Sequence, residues 1–215
     1  MSELPLFALP DTVVFPGMTV PLYIFEARYK TMVKLCLEQE VARFVMVLAN
    51  SQHTSLDDRI PVSAVGSYVD ILSVSENPDG TYHLITYGHE RCKIEVTRHQ
   101  YVKEPDGMAR PLYFTEDRSL PLQRSDPNEE RVAAWDTREV FARYAELFYS
   151  FDAEKQIEDA MPEDLLYQAS FICANIRIPS EHRQALLETP SLVERFQLAT
   201  RLMRERLAES GVSGE

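Results

Sequence analysis

The chain has 215 residues, 45% of them apolar, with 34 acidic against 22 basic side chains and a net charge of −12. A chain of this length buries roughly 70% of its unfolded surface, so one or two compact domains form without staples. The acidic balance, with basic residues scattered singly, argues against a nucleic-acid partner, whose affinity comes largely from phosphate neutralisation. No apolar run approaches the ~18 residues of a membrane span, and no Lys or Arg precedes Arg28, unlike a secretory signal.

From the N-terminus, Leu4 to Leu9 and Thr12 to Phe15 read as two short apolar strands separated by Pro10-Asp11. Proline cannot donate to a ladder, so Pro5, Pro10, Pro16 and Pro21 belong at strand ends, bulges or an exposed edge. Gly17 suits the positive φ of a Pro-Gly turn. A helix is predicted over about residues 26–38, because Tyr29, Met32, Val33, Cys36 and Leu37 share one face at helical spacing, with Glu26 in the first turn. Residues 43 to 115 then alternate like a sheet. Phe44 to Leu48 is an apolar run, and Asn77-Pro78-Asp79-Gly80 joins Val65 to Val74 with Thr81 to Tyr87 as a hairpin. Cys92, Ile94 and Val96 alternate with polar neighbours as one further strand, and Pro105-Asp106-Gly107 leads to Leu112-Tyr113-Phe114. Six to eight short strands favour a closed or nearly closed antiparallel barrel.

A polar, turn-rich stretch from Gln123 to Asn128 marks a boundary, giving a β-rich domain over 1–122 and a helical one over 123–215. Val140, Tyr144, Leu147, Phe148 and Phe151 share one helical face; Leu165, Leu166, Ala169, Ile172, Cys173 and Ile176 share another, behind Pro162, Glu163 and Asp164. Ser191 to Glu194 fits a capping box opening a helix that carries Phe196, Ala199, Met203 and Leu207. Residues 1–125 have a net charge of −4 and residues 126–215 one of −8. Cys36, Cys92 and Cys173 read as reduced core thiols of a cytoplasmic protein, and without a C-x-x-C no zinc set is expected. His83, His89 and His99 fall on consecutive β-rich runs, but no Cys or Asp at ligand spacing accompanies them. Asp57-Asp58 reads as a solvated turn.

The order of Leu4-Pro5-Leu6-Phe7, Val14-Phe15-Pro16-Gly17-Met18, Pro21-Leu22-Tyr23-Ile24-Phe25-Glu26, Arg28-Tyr29 and Met32 resembles the start of the substrate-binding, N-terminal domain of the Lon protease family. Asp79-Gly80 with Gly88-His89-Glu90-Arg91 is similar to that family's hairpin and Gly-x-x-Arg strand; Gln184 to Glu188 with Glu194-Arg195 resembles its closing pattern. The chain departs from the pattern at Ala8, Tyr23 and Cys92. The resemblance runs almost the whole length and implies an α+β fold, a PUA-like barrel followed by a helical subdomain, used to recognise polypeptides. No G-x-x-x-x-G-K-[ST] is present, and Lys30, Lys34, Lys93, Lys103 and Lys155 stand in settings unlike a Ser-Lys protease site. The expectation is thus a non-catalytic, cofactor-free recognition module, standing alone or forming the N-terminal fragment of something longer, with a soft polar tail after Leu207 that fits a natural end better than a cut. Its partners would be unfolded or specific client chains and an ATP-dependent protease, with an adaptor role in quality control.

Phe15, Pro16, Met18, Tyr23, Phe25 and Tyr29 admit two readings: an apolar, partly exposed surface for hydrophobic peptide segments, or core that closes the barrel against the first helix. Residue by residue the core reading leads. Gly17, Glu26, Arg28, Gly88 and Arg91 read as structural, with Glu26 and Arg28 capping the helix and pairing with Glu90 or Arg91. Clients would bind by strand addition at a barrel edge or in a groove between barrel and helices. The competing reading is a small-molecule binder or hydrolase with a pocket between the two parts.

Overall fold

The computed structural model describes residues 3–49, 62–150, 155–157 and 159–210; Asp57-Asp58, Phe151 and the tail beyond 210 lie outside them. The chain divides into two units, Met1–Pro121 and Leu122–Glu215.

The first unit holds β1 (Glu3–Leu9), β2 (Thr19–Ile24), α1 (Ala27–Leu37), β3 (Arg43–Leu48), β4 (Val65–Glu76), β5 (Tyr82–Lys93), β6 (Val96–Lys103) and β7 (Ala109–Glu116). They form one seven-stranded sheet in the order β2-β5-β4-β3-β1-β7-β6. Every ladder is antiparallel except β1 with β3, which run parallel with Leu6 opposite Val45. A parallel pair needs a crossover, and β2 and α1 occupy it. That nonlocal pairing leaves no turn signature, so the all-antiparallel expectation missed it.

The central strands are apolar without alternation because both their faces are buried. Phe7, Phe44 and Met46 join one cluster with Met32, Val33 and Cys36 of α1, while Leu4, Leu6, Val45 and Val47 join a second with Tyr68, Cys92 and Tyr113. Each fully buried α1 side chain is worth about 1.5–3 kcal/mol of transfer free energy, so helix and sheet hold each other. Phe7 meets Tyr29 edge-on at 4.3 Å.

Two strand expectations fail. Thr12 to Phe15, buried from Val13 onward, forms no ladder strand: Ser67 Oγ donates to the Val14 carbonyl at 2.6 Å, Met18 N–H donates to the Phe15 carbonyl at 3.2 Å, and Pro16 ends any further pairing. The alternating run from Cys92 to Thr97 is split between β5 and β6, because Ile94 N–H donates to Ala64 O and Glu95 N–H to the Thr115 hydroxyl instead of continuing one ladder.

The second unit holds α2 (Pro127–Phe148), α3 (Leu165–Asn175), α4 (Ser180–Glu188) and α5 (Leu192–Glu209). Asp126, Asp164 and Ser191 cap α2, α3 and α5 with their side-chain oxygens, each worth about 1 kcal/mol. Leu147, expected on the inner face of α2, is exposed, and Leu165 and Leu166 are only half-buried. Arg195 is wholly buried yet well used: its guanidinium donates to the carbonyls of Leu186 and Leu187, both at 3.1 Å. The closing sequence pattern is therefore a cation tied to the last turn of α4, where a positive charge also suits the helix dipole.

Candidate functional site

Alternation along β2 turns Val20, Leu22 and Ile24 toward the α1 cluster and leaves Pro21 and Tyr23 outside. Tyr23 is 50% exposed, and Phe25, just past the strand, is 60% exposed. In the β2–β5 ladder Tyr23 lies opposite His83 and Pro21 opposite Ile85. The Tyr23 ring sits 4.9 Å from the His83 ring and 5.9 Å from the Phe25 ring, so the three make a continuous row. Exposed Ile85 extends it. On β4, the register shift between Ile71 and Ser73 leaves Leu72 exposed as the extra residue of a bulge. β2 is an edge strand, and Pro21 offers no N–H to anything that would pair beside it.

The row is held from behind. Gly17, at φ 90°, donates to the Gly88 carbonyl, and Gly88 N–H donates back to Met18 O, both at 2.8 Å. A Cβ on Gly88 would stand 2.5 Å from the Phe15 carbonyl oxygen and 2.7 Å from Val14 Cγ1, so only glycine allows this approach. At the start of α1 the capping carboxylate comes from 77 residues away: Glu104, itself buried, accepts from Ala27 N–H at 2.6 Å and Arg28 N–H at 3.0 Å. Glu104 is aimed by its own turn, since its N–H donates to Met108 O and its carbonyl accepts from Gly107 N–H.

The six surface candidates separate. Phe15 is fully buried, Pro16 is buried, and Tyr29 is core with its hydroxyl donating to Ala8 O at 3.2 Å. Burial pushes the Tyr29 phenol up to about 12. Met18 is half-buried against the core, with its sulfur accepting from Phe15 N–H at 3.2 Å. Only Tyr23 and Phe25 belong to the exposed row. Glu26 makes no cap bond; it pairs with Arg28 at 2.9 Å, and Arg28 reaches Pro111 O and lies over the Tyr29 ring. In place of the expected pairing with Glu26 and Arg28, Glu90 accepts from the Ser119 hydroxyl, and buried Arg91 donates from Nε to Leu120 O. Sequence reasoning missed His83 and Ile85 as members of the row. Their period-two exposure was readable, whereas the β2–β5 register that sets them beside Tyr23 was not. Glu104 had no local signal at all.

His83 is thus engaged with Tyr23, and His99 packs against Tyr101 and Tyr113. Among the described residues no group of three or more His, Cys, Asp or Glu could hold a metal ion. Cys36, Cys92 and Cys173 are free thiols, all buried, and burial pushes each up to about 12, away from thiolate chemistry at neutral pH. No helix among the described residues is long and apolar enough to cross a membrane.

Residues 3–205 match the family model of the ATP-dependent protease La (LON) substrate-binding domain. The Lon protease of Azorhizobium caulinodans is 28% identical over 95% of this chain, which covers 23% of that protein. Lon protease 1 of Thermus thermophilus is 25% identical over 94% of this chain and 24% of its own length. The chain spans about a quarter of the length of these curated relatives. Among solved structures, the N-terminal domain of Mycobacterium avium complex Lon protease is 18% identical and superposes with a TM-score of 0.68, covering 96% of this chain and all of that one. The Lon N-terminal domain protein from Xanthomonas campestris gives 0.58 at 18% identity, over 95% of this chain and 98% of that one. The chain belongs to the LON substrate-binding domain family.

Proposed function

We propose that, as a member of this family, the protein recognises polypeptide segments through the Phe25–Tyr23–His83 row and does so without cleaving them. The observation that carries the reading is three adjacent rings and Ile85 left outside a sheet whose own core is already filled. Aromatic side chains on a rigid strand offer large contact area at little entropic cost, which suits short apolar segments of unfolded chains. Pro21 interrupts the open edge of β2, so side-chain contacts rather than an unbroken ladder carry the affinity. The buried thiols and the histidines engaged with rings support binding over catalysis. Handing bound clients to an ATP-dependent protease, as a cytoplasmic adaptor in quality control, is the biological role this reading favours.

Titrating fluorescein-labelled, carboxymethylated casein into the purified protein tests it by anisotropy. Affinity in the micromolar range is expected. Phe25→Ser together with Tyr23→Ser should weaken it by about thirtyfold, the loss of one or two aromatic anchors at ~2 kcal/mol. Equal affinity of the double variant and the parent would overturn the reading.

A further inference from the structure

The helical unit also exposes aromatic side chains, and one of them has a setting unlike that of the sheet row. Trp135, the chain's single tryptophan, is 62% exposed on α2. It lies on the rim of a cavity of about 740 Å³ between α2 and the start of α3, whose apolar wall includes Val132, Met161 and Leu165. Arg131 and Arg138 line the same cavity against the one carboxylate of Glu163. No ion pair or hydrogen bond among the described residues engages Arg138, and Arg131 gives only Nη2 to Asn128 at 2.5 Å. The site is therefore locally positive in the half of the chain with a net charge of −8. Gln168, 3% exposed, completes the lining. Its Nε2 donates to Pro162 O at 3.0 Å, which fixes the amide orientation, and its buried Oε1 has no hydrogen-bond partner among the described residues. An unsatisfied buried acceptor is a standing demand for a donor.

We infer that this cavity is a second recognition site, for a partner polypeptide segment that carries an apolar side chain next to a carboxylate. The apolar side chain packs on Trp135 and Leu165, the carboxylate takes the guanidinium of Arg138, and a backbone N–H of the segment donates to Gln168 Oε1. Charge sets the selectivity. An anionic segment is repelled by the chain's overall charge and gains only where arginines outnumber carboxylates, so binding depends on this cavity and not on general stickiness.

The full chain reports on the site through Trp135 fluorescence, since no other tryptophan contributes. A short, tryptophan-free peptide with a central Leu-Glu pair should blue-shift the emission and saturate in the micromolar range. Its Leu-Gln counterpart should bind about tenfold more weakly, as should the protein variant Arg138→Gln against the original peptide, the scale expected for one charge-assisted hydrogen bond. Gln168→Leu should also weaken binding, with an unchanged thermal melt showing that the unit is folded. Tyr23→Ser with Phe25→Ser should leave the titration unaltered, which separates this site from the sheet row. Absence of a saturable shift up to about 1 mM peptide, equal binding of the Leu-Gln peptide, or indifference to Arg138→Gln each overturns the inference and leaves the reading of the row standing.

Discussion

Two sets of aromatic and sulfur-bearing side chains lie within fifteen residues of one another and meet opposite fates. Tyr29 and Met18 join the cluster under α1 and Phe15 is fully buried, whereas Tyr23 and Phe25 stay in solvent. Composition does not separate them. What does is the path of the backbone: Gly17 and Gly88 let Val14–Phe15 lie against β5, while the β2–β5 register puts Tyr23 on the outer face beside His83. In a β protein, apolar residues acquire a role from their cross-strand neighbours more than from their chain neighbours.

The contrast can be broken most severely with alkali. Cys36, Cys92, Cys173 and Tyr29 all hold their protons more tightly when folded, each up to about 12 from ordinary values of 9 for the thiols and 10 for the phenol. Above pH 9 the unfolded chain gives these protons up first, so stability present below that pH is lost as pH rises toward 12. Thermal melts from pH 7 to 11 should show a flat region and then a steep fall in Tm; a Tm constant to pH 11 contradicts the burial of this set. Next in size, Phe15→Ala should cost about 3–5 kcal/mol in urea unfolding, while Phe25→Ala stays within about 0.5 kcal/mol. Similar losses at both positions would erase the distinction between core and row. Gly88→Val should cost about 3 kcal/mol, since its Cβ would meet the Phe15 carbonyl and the Val14 side chain before any rotamer could relieve it. The smallest effect sharpens the picture at the entry to α1: Glu104→Ala removes the acceptor for Ala27 and Arg28 N–H and should cost about 1 kcal/mol. Amide exchange in the first turn of α1 should quicken in that variant and be unaffected elsewhere in the helix.

Local chemistry made part of this molecule legible in sequence. The turns at Asn77–Gly80 and Pro105–Gly107 carry their own signature, and Gly80 and Gly107 do adopt positive φ, at 74° and 86°. The face of α1 follows from its period, with Tyr29, Met32, Val33 and Cys36 all buried, whereas Leu37, expected on the same face, is exposed at the helix end. The apolar run Phe44–Leu48 announced a strand, and the structure buries all five of its residues. The pairings that cross long stretches of chain had no such signature. The parallel β1–β3 ladder, the Glu104 cap and the partnership of His83 with Tyr23 each join segments whose proximity only the finished sheet decides. For the same reason the largely buried segment at Thr12–Phe15 looked like a strand: its apolar content is that of a strand, while hydrogen bonds from Ser67 and Met18 stand where a ladder would be. The exposed row inherited this limit. Two of its members were visible as candidates, and their separation from Phe15, Pro16 and Tyr29 required the fold.

We propose above that polypeptides dock on the face of β2 and β5 that carries Tyr23 and His83. The most direct measurement places a photo-crosslinking benzoylphenylalanine at Phe25, or at the comparably exposed Tyr101 of β6, and irradiates each protein with labelled unfolded casein. An abundant adduct is expected at position 25, suppressed by the substitution Tyr23→Ser in the same chain, and little at 101. Equal labelling at both positions, or labelling at 101 alone, would contradict it.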